Sequence, residues 1–179
     1  MAMAFTREEL YQRLLERCLI RDKDIRLSSG IISNVYFDKY QFESDPLLID
    51  AVTDFMIELI PVNTNLLGAM ELGAIPICTL LSHKTKIPMV LIRKKAKEYG
   101  TYKLIEGPDI KGKNICVIED VITTGRQVIE SCKEIRKLNG IVENVICVLL
   151  REENALINFN QCGIKLKSLF CSFAQRISI

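Results

Sequence analysis

The chain has 179 residues, 49% of them hydrophobic and 26% charged, and a formal net charge of +2. That length suits one domain with a core of its own, in the composition range of ordinary globular proteins. The small net charge gives no general attraction to nucleic acid or an anionic membrane. No apolar stretch reaches the roughly 18 residues that a membrane span needs, and the charged segment from Arg7 lacks the apolar run of a signal peptide. Seven cysteines show no CxxC spacing and mostly sit in apolar runs such as Asn114–Ile118, so they read as reduced core thiols of a cytoplasmic protein.

Thr6 and Glu9 have the spacing of a capping box, and Leu10, Leu14, Leu15 and Cys18 follow at helical intervals. Ile25–Tyr40 reads as strands joined by a turn, outside the main sheet. Pro46 suits the first turn of a helix running to about Ile60. The pattern then becomes regular. Strands are expected at Asn65–Gly68, Pro88–Ile92, Asn114–Ile118, Val142–Leu150 and Ile164–Ser172. Helices are expected at Gly73–His83, Gln127–Leu138 and Glu152–Asn160, with Asn139-Gly140 as a left-handed stop after the second. Short apolar strands alternating with helices predict an α/β fold, a parallel sheet flanked by helices. In such a sheet ligands bind beyond the carboxyl ends of the strands.

The strand Asn114–Ile118 runs directly into Glu119-Asp120, then Val121-Ile122-Thr123-Thr124-Gly125-Arg126-Gln127. Adjacent carboxylates at a strand end suit the vicinal hydroxyls of a ribose better than a core. The Thr-Thr-Gly turn supplies two hydroxyls and backbone amides, and the helix that follows adds its positive end, a setting for an anion. An acidic, Thr-capped turn with no ligand shares the bare pattern. The longer run Val117–Gln127 resembles the phosphoribosyl-pyrophosphate signature of type I phosphoribosyltransferases: an apolar strand, two acids, two mostly apolar residues, then Thr-Thr-Gly.

The resemblance covers nearly the whole chain and looks closest to the orotate phosphoribosyltransferases. Leu27-Ser28-Ser29-Gly30 with Ser33–Phe37 is similar to the family's N-terminal segment, which closes over the pyrimidine as a small hood, here at about residues 20–42. Its two aromatic positions, which contact the base, fall on Tyr36 and Phe37. Ala69–Gly73 resembles the loop that holds the pyrophosphate, and Arg93–Gly100 the catalytic loop, a polar lid to about Gly112. Arg151 matches the arginine set against the base. The resemblance implies transfer of ribose 5-phosphate from phosphoribosyl pyrophosphate to orotate, giving orotidine 5-monophosphate and pyrophosphate in pyrimidine biosynthesis. A sibling enzyme acting on another base, or a non-catalytic sensor of phosphoribosyl pyrophosphate, shares much of the pattern.

What the resemblance implies for the site is specific. Glu119 and Asp120 hold the ribose, and Val121 through Gln127 the 5-phosphate, with the hydroxyls of Thr123 and Thr124. Arg93, Lys94, Lys97 and Tyr99 face the departing pyrophosphate, whose charge calls for cations. Magnesium is carried mainly by substrate and water, with no protein ligand assigned. The lid reaches the neighbouring subunit in the family, which implies a homodimer. Two positions depart from the family: Ser28 stands where a lysine is frequent, and Tyr99 where the lid has a histidine. Lys39 and Lys23 are the nearby candidates for the first missing charge. The single histidine, His83, falls near a helix end away from these motifs, so a zinc site lacks its ligands.

Overall fold

A computed structural model describes residues 5–26, 32–93 and 104–172. Ser28 and the lid residues Lys94, Lys97 and Tyr99 lie outside the described residues. Helix α1 (Arg7–Cys18) starts on the expected capping box, with Thr6 and Glu9 each accepting from the other's backbone, and it buries Leu10, Tyr11, Leu14 and Cys18. Strands β1 (Leu19–Arg26) and β2 (Ile32–Phe37) pair antiparallel in a two-stranded sheet apart from the main one. The first strand begins six residues before the expected Ile25, because α1 passes into it without a loop. Tyr40 is not in a strand. It opens the one-turn helix α2 (Tyr40–Glu43), since the carbonyl and carboxylate of Asp38 both accept from Gln41 and start a turn there.

Helix α3 (Pro46–Ile57) is capped by Asp45, whose carboxylate accepts from the amides of Leu47 and Leu48. It ends before the expected Ile60. Pro61 disfavours helical backbone in the residue preceding it, and Leu59 and Ile60 form tight turn bonds to Met56 and Ile57 instead. The remaining elements are β3 (Leu66–Met70), α4 (Ala74–Thr85), β4 (Met89–Ile92), β5 (Ile105–Glu106), β6 (Asn114–Ile122), α5 (Arg126–Lys137), β7 (Ile141–Leu150), α6 (Asn154–Gln161) and β8 (Lys165–Cys171). The strands form one sheet in the order β5-β4-β3-β6-β7-β8. Five are parallel, and the short edge strand β5 runs antiparallel to β4.

The expected parallel sheet flanked by helices is what forms, and alternation along β6 shows why. Cys116 and Ile118 face a core with α1, α3 and α4, whereas Ile115 and Val117 face a second core with α5 and α6. A strand buried on both sides reads as a continuous apolar run. Strand β5 was not apparent in the sequence. Ile105 and Ile110 draw this part of the expected lid into the second core, so the polar loop is shorter than Arg93–Gly112. All seven cysteines are free, and burial pushes the thiols of Cys18, Cys116 and Cys132 up to about 12. Among the described residues no helix is long and apolar enough to cross a membrane.

Helix α5 ends as the sequence suggests. Asn139 takes a left-handed φ of 63°, and the Gly140 amide then bonds to the Ile135 carbonyl at 3.0 Å. At its other end Gly125 has φ 74°, and a Cβ there would stand 2.1 Å from the ring of Phe159 on α6. The buried ring therefore seats the turn that opens α5. Phe159→Ala is expected to destabilise the fold by about 3–5 kcal/mol, read as a lowered urea midpoint; an unchanged midpoint would contradict this buttress.

Candidate active site

Strands β3 and β6 are parallel neighbours, yet the chain leaves them in opposite directions: β3 leads outward to β4, and β6 to β7 and β8. The crevice at their carboxyl ends is where such a sheet accepts a ligand. Residues Glu71–Gly73 follow one strand and Thr123–Gly125 the other. Between them lies a cleft of about 290 Å³, lined by Lys39, Glu71 and the unbroken run 119–128. Glu119, Asp120, Val121, Ile122, Thr123, Thr124, Gly125, Arg126 and Gln127 are thus brought together at one wall.

The acid pair differs from its expected placement. Strand β6 does not stop at Ile118 but continues to Ile122, in register with β7 through Val121 and Ile122. Both carboxylates therefore stand on the strand, and successive residues point to opposite faces. Glu119 is half-buried and its Oε1 accepts from the Asp120 amide at 3.0 Å. Burial, and then the neighbouring Asp120, hold the Glu119 carboxyl well above the usual carboxylate range. Asp120 is only 1% exposed. Its Oδ1 accepts from the Val121 amide and its Oδ2 from the ammonium of Lys39. A buried carboxylate is tolerable on those terms, with hydrogen bonds and an opposite charge.

Glu43 on α2 joins this group. Its Oε1 is buried without a hydrogen-bond partner. Burial, and then the Asp120 charge, push its carboxyl up to about 8. For Lys39, burial works against the charge, but Asp120 and Glu119 outweigh it, and its affinity for the proton rises.

The end of the cleft expected to take a phosphate is built from backbone. Helix α5 has Gly125 at its N-cap with no side-chain cap, so its first amides remain available to an anion. Thr124 is exposed and Thr123 half-buried at the cleft. Asn158 of α6 donates to the Thr124 carbonyl at 3.1 Å and steadies the turn.

The base side and the cations are less completely assembled. Tyr36 is half-buried, but Phe37, its neighbour on β2, points to the opposite face and is buried against Phe42, with ring centroids 6.4 Å apart. Of the expected aromatic pair, Phe37 belongs to the core. Arg151 follows β7, its amide bonded to the Ile122 carbonyl at 2.8 Å and its own carbonyl accepting from Ser172. The structure thus ties Arg151 to the carboxyl end of β6. Arg93 pairs with Glu106 of β5, Nε to Oε1 at 3.6 Å, instead of standing as a free cation. Lys39, weighed from the sequence as a replacement charge, sits on Asp120. The Lys23 side chain lies outside what is described. Glu71 was expected only as part of the loop Ala69–Gly73, and Glu43 was not singled out: a lone Glu in a four-residue helix carries no spacing signal.

Ala69 and Met70, expected in the loop after β3, are its last two residues, so that loop is Glu71–Gly73, and its Glu71–Leu72 peptide bond is cis. Gly73 has an ordinary φ of −64°. It is glycine for room: a Cβ there would stand 1.7 Å from Asp120 Oδ2 and 2.9 Å from Glu43 Oε1. Gly73→Ala must push the short Asp120 side chain aside, with an overpacking cost of about 1–3 kcal/mol. Urea unfolding and binding of phosphoribosyl pyrophosphate by calorimetry should both show loss. Unaltered binding would mean that Asp120's position is immaterial.

No protein-family model matches the chain. Curated relatives do. The chain is 38% identical over 161 residues to the orotate phosphoribosyltransferase of Methanocella arvoryzae, covering 90% of this chain and 92% of that one. It is 48% identical over 125 residues to the orotate phosphoribosyltransferase of a Nocardioides species, 70% of each chain. Its fold superposes with a TM-score of 0.76 on Mycobacterium tuberculosis orotate phosphoribosyltransferase in complex with phosphoribosyl pyrophosphate, at 25% identity, covering 92% and 95% of the two chains. With the signature run lining the switch-point cleft, these similarities lead to one conclusion: the chain belongs to the orotate phosphoribosyltransferase family.

Proposed function

We propose that the chain transfers ribose 5-phosphate from phosphoribosyl pyrophosphate to orotate, giving orotidine 5-monophosphate and pyrophosphate in pyrimidine biosynthesis. The observation that carries this reading is the switch-point cleft, whose wall is the whole run from the acid pair to the first turn of α5. As the bond to pyrophosphate lengthens, the ribose gains oxocarbenium character and the leaving group gains charge. Glu119 and Asp120 accept from the ribose hydroxyls and orient the ring. The hydroxyls of Thr123 and Thr124 and the amides of Gly125 through Gln127 hold the 5-phosphate at the positive end of α5. Tyr36 and Arg151 are assigned to the base, Arg151 as a charge-assisted donor to the oxygens of orotate. Lys94, Lys97 and Tyr99 are assigned to the pyrophosphate.

The cleft's wall is rich in oxygen donors, which suits magnesium. The ion would be carried by substrate oxygens and water, and it would neutralise charge on the leaving group. A homodimer with a lid shared between subunits follows from the family pattern. A cytoplasmic location is supported by the seven free thiols.

Consumption of orotate in the presence of phosphoribosyl pyrophosphate and magnesium tests the reaction. Arg151→Ala should raise the KM for orotate roughly tenfold to a hundredfold, as loss of a charge-assisted contact worth about 1.5–3 kcal/mol requires. The KM for phosphoribosyl pyrophosphate should hardly move, and an equal rise in both would point to a folding defect. The shared lid has its own test. A Lys97→Ala chain lacks the lid cation, and an Asp120→Ala chain lacks the ribose grip. Subunit exchange between the two inactive proteins rebuilds one complete site per hybrid dimer, restoring up to about half the wild-type activity of that dimer. No recovery, with hybrids seen by native mass spectrometry, means each lid serves its own chain.

A further inference from the structure

Asp120 poses a problem for the reaction just assigned. It is 1% exposed, one oxygen is held by the Val121 amide, and the other is held by Lys39. Each oxygen keeps a further lone pair, but Lys39 lines the same cleft and stands on Oδ2, so a hydroxyl arriving from the cleft competes with it for this carboxylate. Removing the partner of a buried charge is costly unless another donor takes its place. Such a donor stands next to it. Glu43 Oε1 is buried and accepts no hydrogen bond. It borders the same space over Gly73 as Asp120 Oδ2, where a Cβ would stand 2.9 Å and 1.7 Å from them, and a proton on Glu43 lies within reach of Asp120.

We propose that Lys39 is an exchangeable cation of this site: it leaves Asp120 for a phosphate group of the incoming sugar phosphate, while Glu43 stays on Asp120 as its hydrogen-bond donor. The inference rests on the reading that this cleft binds phosphoribosyl pyrophosphate. Lys39 is suited to the move. It lines the cleft, its side chain is 26% exposed against 2% for Asp120, and its four-carbon stem is flexible. Arg93, the one described cation directly after β4, is engaged by Glu106. Glu43 is a positioning residue in this scheme. It touches Asp120, not the substrate.

Glu43 can donate only while it carries a proton. The groups acting on it are Asp120 of β6, Lys39 and Asp38 ahead of α2, and the Cys18 thiol of α1, which stays protonated until about pH 12. Its carboxyl is held up to about 8, so the donor is present below that pH and lost above it. Ionised Glu43 would then retain Lys39 among the carboxylates. Binding of phosphoribosyl pyrophosphate should therefore weaken as pH rises through about 8.

The test uses the full chain and calorimetry with magnesium and phosphoribosyl pyrophosphate, alongside the KM for each substrate. Glu43→Gln keeps an N–H donor without a titrating proton, so its affinity should match wild type near neutral pH and stay level through pH 9. Glu43→Leu has no donor, and Lys39→Met no cation. Each should weaken phosphoribosyl pyrophosphate roughly tenfold or more, the scale of a charge-assisted contact, with the KM for orotate little changed. Separate titrations with pyrophosphate and ribose 5-phosphate identify the phosphate that receives Lys39, and weakening of neither by Lys39→Met overturns the exchange. An alkaline loss that persists in Glu43→Gln, or Glu43→Leu behaving as Glu43→Gln does, also overturns it. If Glu43→Leu unfolds, the comparison of Glu43→Gln with wild type across pH decides. Glu119→Gln with Thr124→Val separates the two readings. Unchanged affinity in that variant refutes the cleft assignment itself, whereas weakened affinity beside an unaffected Lys39→Met refutes only the exchange.

Discussion

A carboxylate excluded from water demands compensation, and the arrangement around Asp120 follows from that demand. Its two oxygens are met by the Val121 amide and by Lys39, which reaches in from the turn before α2. To admit the side chain at all, the loop after β3 must have no Cβ at Gly73. Three stretches far apart in the chain, around residues 39–43, 71–73 and 119–121, are therefore fixed with respect to one another by one charged group. This is also how the small N-terminal sheet is tied to the end of the large one. The tie through Lys39 is electrostatic, and Phe37 of that sheet adds apolar packing in the first core.

The second organising constraint is the turn at Gly125. Its positive φ excludes ordinary residues sterically, and Phe159 excludes them again by occupying the space of a Cβ. The consequence is a helix N-terminus with free amides, fixed in direction, at the end of a strand that carries two acids. Backbone amides and a pair of carboxylates then lie side by side on a rigid scaffold, the pre-organisation that the proposed grip on a sugar phosphate needs.

Much of this could be read from the order of residues, for identifiable reasons. Strands buried on both faces are apolar runs, and a run such as Ile115–Ile118 has no other economical reading. Val117–Gln127 is contiguous, so the wall of the cleft it forms was legible as a unit. Contacts between distant segments were not. Nothing in the neighbourhood of Glu43 announces that it meets Asp120, and the pairing of Arg93 with Glu106 depends on β5, a two-residue strand below the length at which alternation can be seen. Strand β6 runs past its expected end at Ile118, where acids after an apolar run resemble a strand end. Here backbone pairing with β7 carries the strand past them. Tyr36 and Phe37 looked equivalent as neighbours, and the alternation of a strand sends them apart.

The hydrogen bond from the Arg93 amide to the Leu104 carbonyl at 2.9 Å closes the base of the segment between them. The bond fixes two points on adjacent strands, and the cost of closing a connection between fixed points grows only slowly with its length. Lengthening it by a few residues would leave the sheet and both cores undisturbed. Evolution and protein engineers thus have a position at which residues can be added independently of folding: a peptide tag or chemical label could be carried there while the rest of the molecule keeps its stability.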